Sequence, residues 1–230
     1  MEKTIENALD DISLIKAVIE KTQKDFAKVA MFFIGIGLVN GIAWIMEQLA
    51  YYIRNTAGYG NWLVQALGQG THLLRFAGYI VLFVCFYKRI KATNNEISEG
   101  MIKIWGIVLI GSYVLSFLYM RLLPNGNDDK LITLWRCKEL IEVLPVIFAL
   151  FMTGILTKKL TITVCTAIYS IMYFVLFVGM KEIPYGTFGG TGTLMPLSST
   201  SVKCLMILGM IVLGIYLKIG ARIHGDKLNT

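Results

Sequence analysis

Histidine, proline, charge and cysteine pairs are all scarce in this chain, and each scarcity removes a class of function. The two histidines in 230 residues, His72 and His224, fall at opposite ends of the expected topology, so no two-histidine metal site is expected. Neither HExxH nor GxSxG occurs. Glu139 and Glu142, at i and i+3, could act with His72 as ligands or as acid and base, but helical acid pairs are commonly solvated faces, which leaves an intramembrane enzyme the weakest reading. The four cysteines (Cys85, Cys137, Cys165 and Cys204) form no CxxC pair or other metal spacing. Cys85 and Cys165 lie inside apolar runs and read as small hydrophobes, whereas Cys137 and Cys204 fall near one surface, where a disulfide could join them. No Walker A or GxGxxG motif precedes a helix, and no metal or cofactor is called for. Any ATP spent on this protein's behalf would have to be bound by another subunit.

Only 16% of residues are charged, against 56% hydrophobic and a mean hydropathy of +0.64, a balance foreign to soluble domains. Apolar stretches of about 20 residues match a hydrocarbon core of about 30 Å at 1.5 Å per residue. The reading is an all-α integral membrane protein of six transmembrane helices arranged as three hairpins. The spans are expected at Val29 to Ile53, Leu73 to Tyr87, Ile102 to Leu122, Glu139 to Leu156, Leu160 to Met180 and Cys204 to Ile219. The second is short and carries Arg75. Three units follow: an amphipathic helix over 1–28, the membrane domain over 29–222 and a short tail over 223–230. The first apolar run is too long for a signal-peptide core and has no small-residue cleavage site behind it, so it reads as a permanent span.

Lysine and arginine orient this arrangement. Fourteen of the 22 fall on the side of the two termini and eight on the other, so both termini are expected in the cytoplasm, with the protein in the cell membrane. The formal charge of +7 is thus a topology signal and a fit to anionic headgroups; no nucleic-acid partner is expected. Ahead of the first span, Ile5, Leu9, Ile12, Ile15, Ile19 and Phe26 recur at helical spacing. Glu2, Glu6, Asp10 and Asp11 crowd the start of that segment and lysines its end, which suits the helix dipole. Such a helix either packs against membrane or bundle, or docks a protein partner or a second copy.

The outer connections, 54–71, 123–138 and 181–203, are rich in glycine and turn residues and read as linkers or lids. The sharpest pattern lies in the first span, where Gly37, Asn40, Trp44, Glu47, Tyr51 and Arg54 follow steps of three and four along one helix face. Gly37 and Gly41 form a GxxxG suited to close helix approach. An ionised residue facing lipid costs several kcal/mol, so Glu47 should face protein or water, and Asn40 needs a partner on another helix. At similar depth the second span offers His72, Arg75 and Tyr79, and the fourth offers Glu139 and Glu142. Glu47 with Arg75 is the natural ion pair, while Glu139 or Glu142 could take Arg136 or Arg121. Asn40, Trp44, Glu47, His72, Arg75, Glu139 and Glu142 are therefore the candidate ligand-binding residues, and Gly37 and Gly41 the helix-packing ones. Together they would line a polar vestibule open to the outside that binds or transports a small molecule. The alternative is a regulatory protein that docks a partner through its N-terminal helix.

In size, six spans and inside termini the chain resembles the substrate-binding membrane subunits of energy-coupling-factor vitamin transporters. The resemblance covers architecture. Those subunits meet a transmembrane partner through a small-residue face, a role in which Gly37 and Gly41 can be read, and no binding residue is carried over.

Overall fold

The computed structural model describes residues 2–58, 61–93, 95–122, 128–179, 182–185 and 193–226. In chain order these form α1 (Glu2–Ala57), α2 (Trp62–Lys91), α3 (Glu96–Leu122), α4 (Asp128–Leu156), α5 (Leu160–Val178), β1 (Glu182–Tyr185), β2 (Thr193–Pro196), α6 (Leu197–Cys204) and α7 (Met210–Asp226). A single π-helical turn, Leu205–Gly209, joins α6 to α7, so these run on as one long element. Among the described residues, five helical stretches are long and apolar enough to cross a membrane: Phe26–Ala57, Glu96–Tyr119, Arg136–Leu156, Leu160–Val178 and Leu197–Gly220. Helix is the form that such sequences must take in lipid, because every backbone N–H and C=O has to be satisfied within the segment.

The helices overrun the expected spans. The first outer connection, read as a glycine-rich loop over 54–71, is mostly helix, since α1 runs to Ala57 and α2 starts at Trp62. Asn61 caps α2, its side chain accepting a hydrogen bond from the Leu63 N–H, and Gly68 and Gly70 lie inside the helix. The fourth helix starts at Asp128 rather than near Glu139, with Asp128 and Asp129 at the positive end of its dipole. The third outer connection holds an antiparallel ribbon, Glu182 opposite Pro196 and Tyr185 opposite Thr193, so the fold is helical with one small exception. The N-terminal amphipathic segment is continuous with the first span: residues 2–57 are one 56-residue helix.

Neighbouring helices run antiparallel. Leu82 of α2 lies at Gly35 of α1 and Val39 at Gly78, while Tyr113 of α3 meets His72 of α2. Helix α2 thus covers the same height as α1 and α3, although Arg75 and His72 sit in its sequence. Helix α1 is flanked by α2 and α7, and the contacts close a ring through α3, α4, α5 and α6. The crossing of α1 with α7 depends on absent side chains. A Cβ on Gly37 would fall 2.7 Å from the Ile207 carbonyl, and one on Gly214 would fall 2.6 Å from the Ala30 carbonyl. Gly37 and Gly41 therefore pack within the chain, against Ile207 and Ile211.

The half of the bundle nearest the termini is packed shut. Phe32, Phe33, Ile90, Met101, Ile102, Trp105, Met210 and Leu217 are fully buried there, with Trp105 edge-on to Phe33 at 5.2 Å. The indole N–H of Trp105 donates to the Thr153 hydroxyl, which donates in turn to the Ala149 carbonyl, so both of these polar groups are satisfied inside the core. The outer surface is the reverse of a soluble protein's: Ile107, Val175, Val212, Ile168, Ile45 and Phe148 are all exposed. This is the lipid-facing surface of a multi-pass helical membrane protein.

Gly37→Ala and Gly214→Ala should each destabilise the fold by about 1–3 kcal/mol, the usual cost of forcing a methyl against backbone. Gly111→Ala, whose added methyl meets nothing within 4 Å, should cost nothing. Unfolding of the three variants in mixed detergent micelles checks this ranking.

Candidate functional site

The other half of the bundle holds the polar residues, and helix periodicity sets their depth. Asn40 is the deepest. Its side-chain N–H donates to the Ile36 carbonyl one turn back at 2.9 Å, and its carbonyl accepts from the Tyr79 hydroxyl of α2 at 2.8 Å. Both residues are buried, so this bond pins α2 to α1 at one register.

Two turns further along α1, Glu47 gathers two cations. Arg75 places Nη2 2.7 Å from Oε1, and Lys203 of α6 places Nζ 2.8 Å from Oε2. Roughly a quarter of each side chain or less is exposed, so the cluster sits at the boundary of bundle and water. One carboxylate thus holds two cations from two other helices.

Above Glu47 the space between α1 and α2 opens into a cleft of about 370 Å³, lined by Glu47, Ala50, Tyr51, Arg54, Val64, Gly68, Thr71 and His72. Glycine at 68 and alanine at 50 keep the two helices from filling this gap. The Arg54 guanidinium, in the wall of the cleft, stacks over the Tyr51 ring at 4.8 Å. On the far wall, His72 Nδ1 lies 3.2 Å from the Tyr113 hydroxyl, which donates to the His72 carbonyl at 2.9 Å. The charges of Arg75, Lys138, Glu47 and Glu142 all act on His72, which ties α4 to the same electrostatic site.

The two α4 acids are held separately. Glu142 accepts from the Ser116 hydroxyl at 2.6 Å and lies 3.7 Å from Lys138 on its own helix. Glu139 accepts from the Tyr173 hydroxyl at 3.2 Å and the Ser199 hydroxyl at 2.7 Å, a junction of α4, α5 and α6. The expected pairing of these acids with Arg136 is not made: Arg136 donates instead to the Phe177 carbonyl at 3.1 Å and covers the Phe177 ring. Arg121 lies outside the described side chains. Trp44 is 42% exposed and does not line the cleft, because the α1 face that starts at Gly37 carries it to the edge of the contact with α2.

Of the seven expected residues, then, Glu47, Arg75 and His72 come together around the cleft, with Asn40 below them. Glu142 sits within electrostatic range, Glu139 belongs to another junction and Trp44 faces outward. Sequence reasoning counted Lys203 only as a loop charge. Its presence in the second turn of the last long element, at the depth of Glu47, was the available signal. Cys137 and Cys204 are free, as are Cys85 and Cys165. Among the described residues no group of three metal-ligating side chains converges. Comparison of the chain with protein-family models, with curated proteins and with solved structures returns no match.

Tyr79→Phe should cost about 1–3 kcal/mol, because it leaves the buried Asn40 carbonyl without its donor. Glu47→Gln should cost more than Lys203→Met. The first leaves two cations facing each other without a counter-charge, by about 2–4 kcal/mol for a pair that still touches solvent, and the second leaves the Glu47–Arg75 pair whole. Chemical unfolding of the three variants in detergent gives both comparisons.

Proposed function

We propose that this chain is a six-span membrane protein, with α2 as the sixth span and both termini in the cytoplasm. In this reading it binds a small anionic molecule in the α1–α2 cleft from the opposite side. The observation that carries the reading is the gathering of cations at a space built to stay open: Arg54 lines it, and Arg75 and Lys203 both bind the Glu47 carboxylate in its wall. A carboxylate or phosphate group can be held by a guanidinium with bidentate hydrogen bonds and by an ammonium at the same time. Ionisable residues inside spans are costly and mark substrate or ion sites more often than structural ones.

The packed aromatic half below supports binding with a closed inner end rather than an open pore. Movement of the ligand inward would require Phe33, Trp105 and their neighbours to separate, so transport would need a second conformation. The Tyr51 ring under the Arg54 guanidinium suits a ligand with an apolar or aromatic body and an acidic end.

Native mass spectrometry of protein gently extracted from its own membrane tests this. A retained acidic small molecule is expected with the wild type and with Arg136→Gln, and should be absent from Arg75→Gln. The reading fails if no small molecule is retained and a co-purifying protein is lost when residues 2–24 are removed; that result would mark an interaction protein.

A further inference from the structure

His72 meets α3 in a way that fixes where its ring proton sits. Two atoms of this residue lie against one hydroxyl, that of Tyr113: Nδ1 at 3.2 Å and the main-chain carbonyl oxygen at 2.9 Å. A tyrosine hydroxyl has one proton to give, and a carbonyl oxygen has none. Two oxygens 2.9 Å apart need a hydrogen between them, so the Tyr113 proton lies on the carbonyl side. Toward Nδ1 the hydroxyl then offers only a lone pair. Nδ1 therefore carries the hydrogen of that second bond.

A neutral imidazole has one protonated nitrogen and one bare nitrogen. With Nδ1–H turned to Tyr113, Nε2 is the bare one, and among the described residues nothing donates to it. The arrangement is supported from behind. Phe76, one turn along α2 from His72, stacks on the Tyr113 ring with centroids 5.5 Å apart and holds that ring against α2. His72 itself is exposed and lines the α1–α2 cleft, whose wall also includes Arg54.

We propose that Nε2 of His72 is a hydrogen-bond acceptor for the ligand of this cleft, and that the ligand is an acid that also carries a hydroxyl or N–H donor, as a 2-hydroxy acid does. This rests on the reading that the cleft takes an anion and adds a second requirement to it. The Arg54 guanidinium offers only donors, which suit a carboxylate or phosphate. The bare nitrogen repels a further anionic oxygen and accepts a proton-bearing group. An acid without such a group covers Nε2 and leaves it unpaired, which weakens its binding. Tyr113 acts through His72 and is a positioning residue.

Nitrogen-15 NMR of the protein with labelled histidine tests the tautomer without any ligand, because His72 and His224 are the only histidines. At about pH 8, above the ordinary histidine pKa of about 6.5, His72 should show a protonated Nδ1 and a bare Nε2. Tyr113→Phe keeps the stack on Phe76 and should let the Nε2–H tautomer appear; His224→Gln assigns the signals. Binding is then read with two probes that differ by one hydroxyl, 3-phenyllactate and 3-phenylpropionate, titrated in native mass spectrometry. Wild type and His224→Gln should hold the hydroxy acid about five- to tenfold more tightly, and His72→Leu should hold the two alike. A protonated Nε2 in the wild type, or equal affinity for the two acids with the Nδ1–H tautomer in place, overturns the proposal and leaves the anion site standing. Binding of neither acid, or binding undiminished in Arg75→Gln, overturns the anion site and the proposal with it.

Discussion

Glu47 is the constraint around which the polar half of this protein is arranged. A carboxylate one third of the way into a span cannot face lipid, and here it recruits a guanidinium from α2 and an ammonium from α6. Three helices far apart in sequence are thereby joined at one depth. The joint also gathers charge: two cations meet one carboxylate at the wall of the cleft. Just below it the Asn40–Tyr79 bond fixes the same α1–α2 pair, so the cleft above them opens between helices whose register is already set.

The two halves of the bundle use different physics. Toward the termini, aromatic and aliphatic side chains interlock around Trp105 and Phe33, and the glycines at 37 and 214 let α7 approach α1 to backbone contact. Toward the other end, helix contacts are replaced by hydrogen bonds and ion pairs: Tyr113 with His72, Ser116 with Glu142, and Ser199 and Tyr173 with Glu139. Lipid is as apolar as leucine, so close packing holds the first half and polar contacts position the second. The division concentrates chemistry at one end and closure at the other.

Much of this could be read from residue spacing. Steps of three and four along α1 put Asn40 and Glu47 on one face, and matching depth selected Arg75 as the ion-pair partner of Glu47. What was hidden depended on tertiary approach. Lys203 reaches Glu47 across 156 residues of sequence, and no local period signals that contact. Trp44 shares the nominal face, but a face of that width includes its own edge, and Trp44 falls there. The loop at 54–71 was misread because glycine was taken as a breaker, whereas Gly68 and Gly70 sit in helix secured by the Asn61 cap and by packing against α1. Charge near the ends of α4 suggested acid–base pairs, yet Arg136 was taken by the Phe177 backbone and Glu139 by hydroxyls. Hydroxyl partners are invisible to charge matching.

The central claim is that water and solutes reach the Glu47 cluster from the side opposite the termini, and no deeper. In protein lacking its native cysteines, Ala50→Cys lines the cleft, while Ala43→Cys sits two turns deeper at a fully buried site. A membrane-impermeant maleimide applied to intact cells should label Ala50→Cys and leave Ala43→Cys unmodified. Labelling of Ala50→Cys only in inverted vesicles, or equal labelling of both positions, would contradict the account.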